Sequence, residues 1–370
     1  MVIILPMHVL LSIILLILVL GVIIFVHELG HFAVAKWFGI RVDEFGMGFP
    51  PRAAKLFSYK GTDYTLNWIP FGGFVKIHGE DSLDKDDPDY KKSILAKPWW
   101  QQIAVLVAGV TMNILLAWII FSGMFMAGAP TMASQTDRPD LLENPKLTVL
   151  DVSPGSPAEK AGIKSGDVIT QAASSKAIIA NPDAAVFTDF IKSGTTTEPI
   201  SVTVVRDEQT EVISVTPETG IIPGSVAIGV AVDIVGYRNL GFFKSIGEGF
   251  KTTIRVVQGT AQAFAGLFAG HVSLDSVSGP VGLTKVVGEA QQVGVTSLLL
   301  LTAVISVNLA LINILPFPAL DGGRILFVII ETIIRRPLPK KFVEWTNGLG
   351  FLLLIGLMIV ITVKDVIKLF

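Results

Sequence analysis

Four long apolar segments decide what this chain can fold into. A run of roughly 20 apolar residues is long enough to cross the hydrocarbon core of a bilayer as a helix. Residues 8–30, 101–127, 297–320 and 346–363 are such runs. Charged residues make up 16% of the 370, against about 25% in soluble proteins, so the chain is poor in the side chains that resist membrane burial. The first run is too long for the core of a cleaved leader, and no small-residue cleavage site follows it. We therefore predict an α-helical polytopic membrane protein with four transmembrane helices. The net charge of −2 gives no reason to expect nucleic acid as a partner.

Lys and Arg are dense between the first two spans, from Lys36 to Lys97, and recur between the last two as Arg335, Arg336, Lys340 and Lys341. The positive-inside tendency places both loops in the cytoplasm. The insert between spans two and three, and both termini, then lie outside; Lys364 and Lys368 run against this. That insert, residues 129–236, reads as a soluble α+β module. Its strand-like runs are 147–152, 167–172, 200–206, 211–215 and 225–234. Membrane regions 1–128 and 237–370 flank it. Within the second of these, Phe243, Ile246, Phe250 and Ile254 have helical spacing across 240–270. They predict an amphipathic helix, lying on the membrane surface or packed on protein. In the first, residues 44–80 mix Gly, Pro and alternating apolar residues, which predicts a β-hairpin or small sheet associated with the membrane. Non-helical backbone is tolerated at membrane depth only where protein or a wet cavity satisfies its polar groups.

Cysteine is absent, which excludes disulfides, thiol catalysis and thiolate metal ligands. A metal must be held by His, Asp or Glu. His27-Glu28-Leu29-Gly30-His31 lies at the end of the first span. Residues four apart share a helix face, so both imidazoles can reach one zinc ion, with Glu28 as general base. A catalytic zinc takes a third protein ligand and water. The best candidate is Asp321, in Asn313-Ile-Leu-Pro316-Phe-Pro318-Ala-Leu320-Asp321-Gly322-Gly323. Spans one and three run in the same direction, so both motifs fall at similar depth. Pro316 and Pro318 break the helix and permit an unwound segment. A helix-capping Asp321 is the alternative, and Glu331 is a rival third ligand. Asn113 and Asn313 are expected to clamp substrate backbone or assist an oxyanion, and Asn308 to bond between helices. His8, His78 and His271 have no ligand spacing and read as interfacial or surface residues. The acidic run from Glu80 to Asp87 reads as a solvated loop.

These residues resemble the site-2 protease family of intramembrane metalloproteases, in its PDZ-containing bacterial branch typified by the regulator of sigma-E protease. The match covers nearly the whole chain: VHELGHF at 26–32, PFGGFVKIHGED at 70–81, KPWWQQIAVLVAGVTMN at 97–113, SPGSPAEKAGIKSGDVI at 153–169, SGPVGL at 278–283 and NILPFPALDGGRIL at 313–326. Gly109-Val110 stands where the family often has Gly-Pro. The resemblance implies one Zn2+ held by His27, His31 and Asp321, Glu28 as catalytic base, and Asn113 and Asn313 near the substrate. It also implies that the insert is PDZ-like and lies outside a bacterial inner membrane; this chain has one such module, whereas the sigma-E regulator type has two in tandem. The substrates implied are single-pass transmembrane proteins, such as an anti-sigma factor or a remnant signal peptide, cut within the lipid bilayer near its cytoplasmic face. Two other readings compete. A non-enzymatic membrane scaffold predicts no zinc and no effect of Glu28→Gln. A metal transporter needs ionisable groups spread along a path, whereas these cluster at one end.

Overall fold

The computed structural model describes residues 7–80, 88–135, 139–206, 208–222, 225–237, 240–270 and 279–367. The chain forms two compact units, Met124–Ser245 and the remainder. Helix α1 (Met7–Trp37) is longer than predicted. It carries the His27–His31 motif almost two turns before its end, not at its end. It stops where Gly39 takes a φ of 67° and the Ile40 N–H closes onto the Ala35 carbonyl. Strands β1 (Val42–Tyr59) and β2 (Thr62–Ile77) follow as an antiparallel pair. Both are bent. Glu44 to Met47 lie opposite Lys76 to Gly73 on one side and Asp63 to Leu66 on the other. Among the described residues, 73–76 therefore form an edge with a strand partner on one side only. Phe45, Val75 and Ile77 pack this sheet on Ala35, Ile40, Ile94 and Val105. Helix α2 (Trp99–Met126) comes next.

The inserted unit contains β3 (Pro130–Met132), β4 (Glu143–Val152), α3 (Pro157–Ala161), β5 (Val168–Ala173), β6 (Ile178–Ala180), α4 (Ala184–Lys192), β7 (Ile200–Arg206), β8 (Gln209–Val215), β9 (Glu218–Ile222), β10 (Ser225–Ala227) and β11 (Val230–Tyr237). Its main sheet is ordered β3-β11-β4-β5-β7-β8, with β6 paired to β5. The run expected at 225–234 is split, because Gly229 adopts a φ of 82° and β10 pairs with β9 instead. Leu147, Ile169, Val202, Val204 and Phe187 form its core.

Helix α5 (Phe242–Phe268) keeps Phe243, Phe250 and Ile254 exposed and buries Glu248, Thr252 and Thr253. Its polar face is the packed one. Gly249 sits on Ser122 of α2, and Trp118 Nε1 donates to the Ile246 carbonyl at 2.9 Å. Helices α6 (Pro280–Val293), α7 (Val295–Ile314), α8 (Asp321–Ile334) and α9 (Lys340–Ile367) complete the chain. The third span thus ends at Ile314 rather than 320, and α8 occupies residues read as the loop before the last span. The last span begins at 340, not 346. Helices α1, α2, α7 and α9 are long and apolar enough to cross a membrane. Asn308 accepts from Thr260 Oγ1 at 3.0 Å, bonding α7 to α5 as expected of an interhelical amide. His78 departs from its surface reading: its ring is mostly buried, with Nδ1 3.1 Å from Asp43 Oδ2. The side chain of His8, all of His271 and Asp81–Asp87 lie outside the described residues.

One helix start is satisfied from a distance. The N-terminal backbone of α6 donates from Gly279 and Gly282 to Asp365 Oδ2 of α9, at 2.8 Å each. Charged acceptors at helix N-termini satisfy N–H groups that no turn can reach. Asp365→Ala removes both bonds at a buried position, and should cost about 1–3 kcal/mol. A lowered unfolding midpoint in detergent reads this out; an unchanged midpoint contradicts it.

Candidate metal centre

Successive turns of α1 place His27 and His31 side by side, with their Nε2 atoms 3.1 Å apart and both rings buried. Helix α2 backs them with one face, using positions four residues apart. His31 Nδ1–H donates to the Val105 carbonyl at 2.8 Å. This leaves the His31 Nε2 lone pair free in the neutral ring. A Cβ on Gly109 would intrude on both rings, so only glycine fits there. Asn113 lies against His27, its amide 3.3 Å from Nδ1. Gly30 of α1 similarly leaves no room for a side chain against Ala108 and Met112. Small residues at such crossings let membrane helices approach closely.

Asp321 arrives from the other end of the chain. Proline at 316 and 318 ends α7, and Ala319 turns through a φ of 73°, a left-handed conformation that side chains rarely adopt. The Ala319 N–H donates to Asn347 Oδ1 of α9 at 3.2 Å. Side chains on Gly322 or Gly323 would collide with the carbonyls of Ile314, Leu315 and Phe317, so the paired glycines let α8 begin tight against the loop. Leu320 is the N-cap, and Asp321 is the first helical residue. The capping role is thus not its position. Its Oδ2 lies 3.0 Å from His27 Nε2 and 3.5 Å from His31 Nε2.

These residues fit zinc by two tests. Tetrahedral ligands at zinc bond lengths stand about 3.3 Å apart, and the three atoms span 3.0–3.5 Å. Asp321 Oδ2 is also buried with no hydrogen-bond donor aligned on it, and Asn113 Oδ1 is likewise unsatisfied. Buried polar atoms normally find partners, so this pocket is built for one more group. Among the described residues, His27, His31 and Asp321 are the group of side chains able to hold a metal. Glu331 is not among them; it accepts from the Leu338 N–H at 2.8 Å.

Glu28 lies beside this group, within electrostatic reach of both His and Asp321 and close to the Val75 backbone. The β2 edge passes over it, Gly73 leaving room for no more than contact with its Cγ. The two asparagines separate by burial. Asn113 is 0% exposed, whereas Asn313 is partly exposed with Nδ2 3.4 Å from His27 Nε2. Sequence reasoning passed over the Val105 carbonyl, the steric role of Gly109 and the Asn347 bond. Of these only Gly109 left a signal, four residues before Asn113.

The model of peptidase family M50 matches residues 15–357. A protein of Clostridium perfringens named as a candidate zinc metalloprotease is 38% identical over 347 residues, covering 93% of this chain and 95% of its own. Similarly named proteins of Nostoc and Agrobacterium fabrum are 33% and 30% identical, each over 95% of this chain and 94% of theirs. The chain therefore belongs to peptidase family M50, the zinc-dependent metalloproteases of the site-2 protease type.

Proposed function

We propose that this membrane metalloprotease cuts a peptide bond in or near the transmembrane segment of a membrane-protein substrate, with zinc held by His27, His31 and Asp321. The observation that carries this reading is the meeting of Asp321 Oδ2 with two imidazoles carried within a helix long enough to span the bilayer. When bound, zinc supplies Lewis-acid chemistry, polarising the scissile carbonyl and acidifying water.

The rest falls to the chain's own side chains. Glu28 takes a proton as water adds to the carbonyl carbon, then passes it to the leaving nitrogen as the C–N bond breaks. For His27 to offer Nε2 as a ligand, Nδ1 must carry the proton and needs an acceptor. A half-turn of the Asn113 amide supplies its unsatisfied Oδ1 there. Asn113 therefore orients His27 from behind, and the partly exposed Asn313 keeps the substrate side. A helical substrate hides its scissile bond behind its own hydrogen bonds and must unwind. The 73–76 edge, passing over Glu28, offers the freed strand a backbone partner.

The inserted sheet with its two helices supports the PDZ-like reading of that unit. The Lys- and Arg-rich loops support a bacterial inner-membrane protein whose active site lies near the cytoplasmic face. Anti-sigma factors and remnant signal peptides are the substrate types we infer, on the resemblance alone.

Two experiments test the centre. Glu28→Gln should slow cleavage of a model transmembrane substrate by about 100- to 10,000-fold and leave zinc content intact; a wild-type rate would exclude Glu28 as the base, and absence of zinc from the wild type would favour a scaffold. Gly109→Val should push the His rings apart, and metal analysis should find the ion lost, as in His27→Ala and Asp321→Ala. Full zinc content in Gly109→Val would show that the rings do not need that space.

A further inference from the structure

We infer that Glu80 and Arg324 form a latch that sets Asp321 in place, so that the hairpin helps determine how tightly the metal centre holds its ion. Arg324 is a positioning residue in this account, and the inference rests on the reading of Asp321 as a zinc ligand. Arg324 follows Asp321 by three residues in α8, one helical turn away. Its guanidinium holds a single residue in two ways. Nη1 pairs with the Glu80 carboxylate, and Nη2 donates to the Glu80 carbonyl at 2.5 Å. The two residues stand 244 apart in the chain, and both side chains are three-quarters buried.

Glu80 is fastened in turn to the end of β2. Its Oε2 accepts from the Ile77 N–H at 3.3 Å, and its own N–H donates to the Ile77 carbonyl at 3.1 Å. Ile77 lies opposite Val42 in the sheet and is buried in its core. The path from hairpin to metal ligand is therefore short: hydrogen bonds join Ile77 to Glu80 and Glu80 to Arg324, and one turn of α8 carries Arg324 to Asp321.

The chemistry of the pair suits positioning better than stability. Apolar contacts hold a helix at a distance but leave it free to turn about its axis. A planar guanidinium engaged by a carboxylate and a carbonyl defines direction as well as distance. Asp321 needs that definition, because its carboxylate must meet two rings carried by a different helix. A further hydrogen bond on this loop, from the Ala319 N–H to Asn347, acts before α8 begins. The same strand that is latched to Arg324 also passes over Glu28 at Gly73 and Val75. One sheet thus registers both the base and the third ligand.

The test is zinc affinity of the full chain in detergent, measured by chelator competition, for wild type, Glu80→Ala, Arg324→Ala and the double variant. Outer-shell partners of metal ligands are worth about 10- to 100-fold in affinity, so each single change should weaken zinc binding by about tenfold or more. The double variant should be no weaker than the weaker single, since the two groups act as one. Arg324→Lys should fall between wild type and Arg324→Ala, because an ammonium cannot reproduce the fork. Additive losses, or wild-type affinity in both single variants, would overturn the latch. Where an alanine variant does not fold, Glu80→Gln and Arg324→Lys decide, and wild-type affinity in both counts against it. Asp321→Ala separates the two ideas: if it keeps wild-type affinity, the ligand reading fails, and if it alone loses zinc, only the latch fails.

Discussion

The meeting of the Asp321 carboxylate with the His27 and His31 rings is the constraint around which the membrane unit is organised. Ionisable groups in a membrane helix cost about 2.5–3.5 kcal/mol each on insertion scales. Zinc binding to structural sites in small peptides contributes about 10–16 kcal/mol, enough to offset three such groups. The pocket is shaped to that end. Gly30 and Gly109 bring α1 and α2 together at the rings, and Gly322 and Gly323 seat α8 against its loop. None of these four positions accepts a side chain without displacing backbone or ligand.

Polar backbone inside an apolar unit imposes the second demand. Non-helical chain persists there only when its groups are satisfied, and here the partners are local and specific. The ends of the hairpin are closed by backbone bonds from Arg41 to Lys92, His78 to Arg41 and Ile94 to His78. Asp365 receives the N-terminus of α6, and Asn347 receives the turn before α8. Helix α5 obeys the same logic in reverse, turning small and polar residues inward and leaving Phe243, Phe250 and Ile254 outside.

Much of this was legible in the sequence, for reasons that differ by element. The four spans are properties of composition over a single window, and the helices appear where the apolar runs lie. The His pair is legible because its spacing is set by the helix itself. The hairpin showed in its alternation and its Gly and Pro content. Helix α8 was missed because it directly follows a Pro-broken span and its residues, beyond 320, read as the loop before the last span. The extra turns of α1 were missed because the polar His27–His31 motif read as the end of the span, whereas Phe32, Val34 and Ala35 pack in the cluster beneath the hairpin and sustain the helix.

Sequence by itself determined a membrane protein, a metal restricted to His and carboxylate ligands, and the His27–His31 pair as candidate ligands with Asp321 as the best third candidate. The membrane reading follows from apolar length measured against bilayer thickness, and the His pair from donor atoms repeated at helical spacing. Only the tertiary structure decided that the buried Asn113 amide lies beside His27 Nδ1, and that Arg324 reaches Glu80 across most of the chain. Those outcomes depend on how helices and sheet pack, and no window of sequence encodes the distance between residues that meet only after folding.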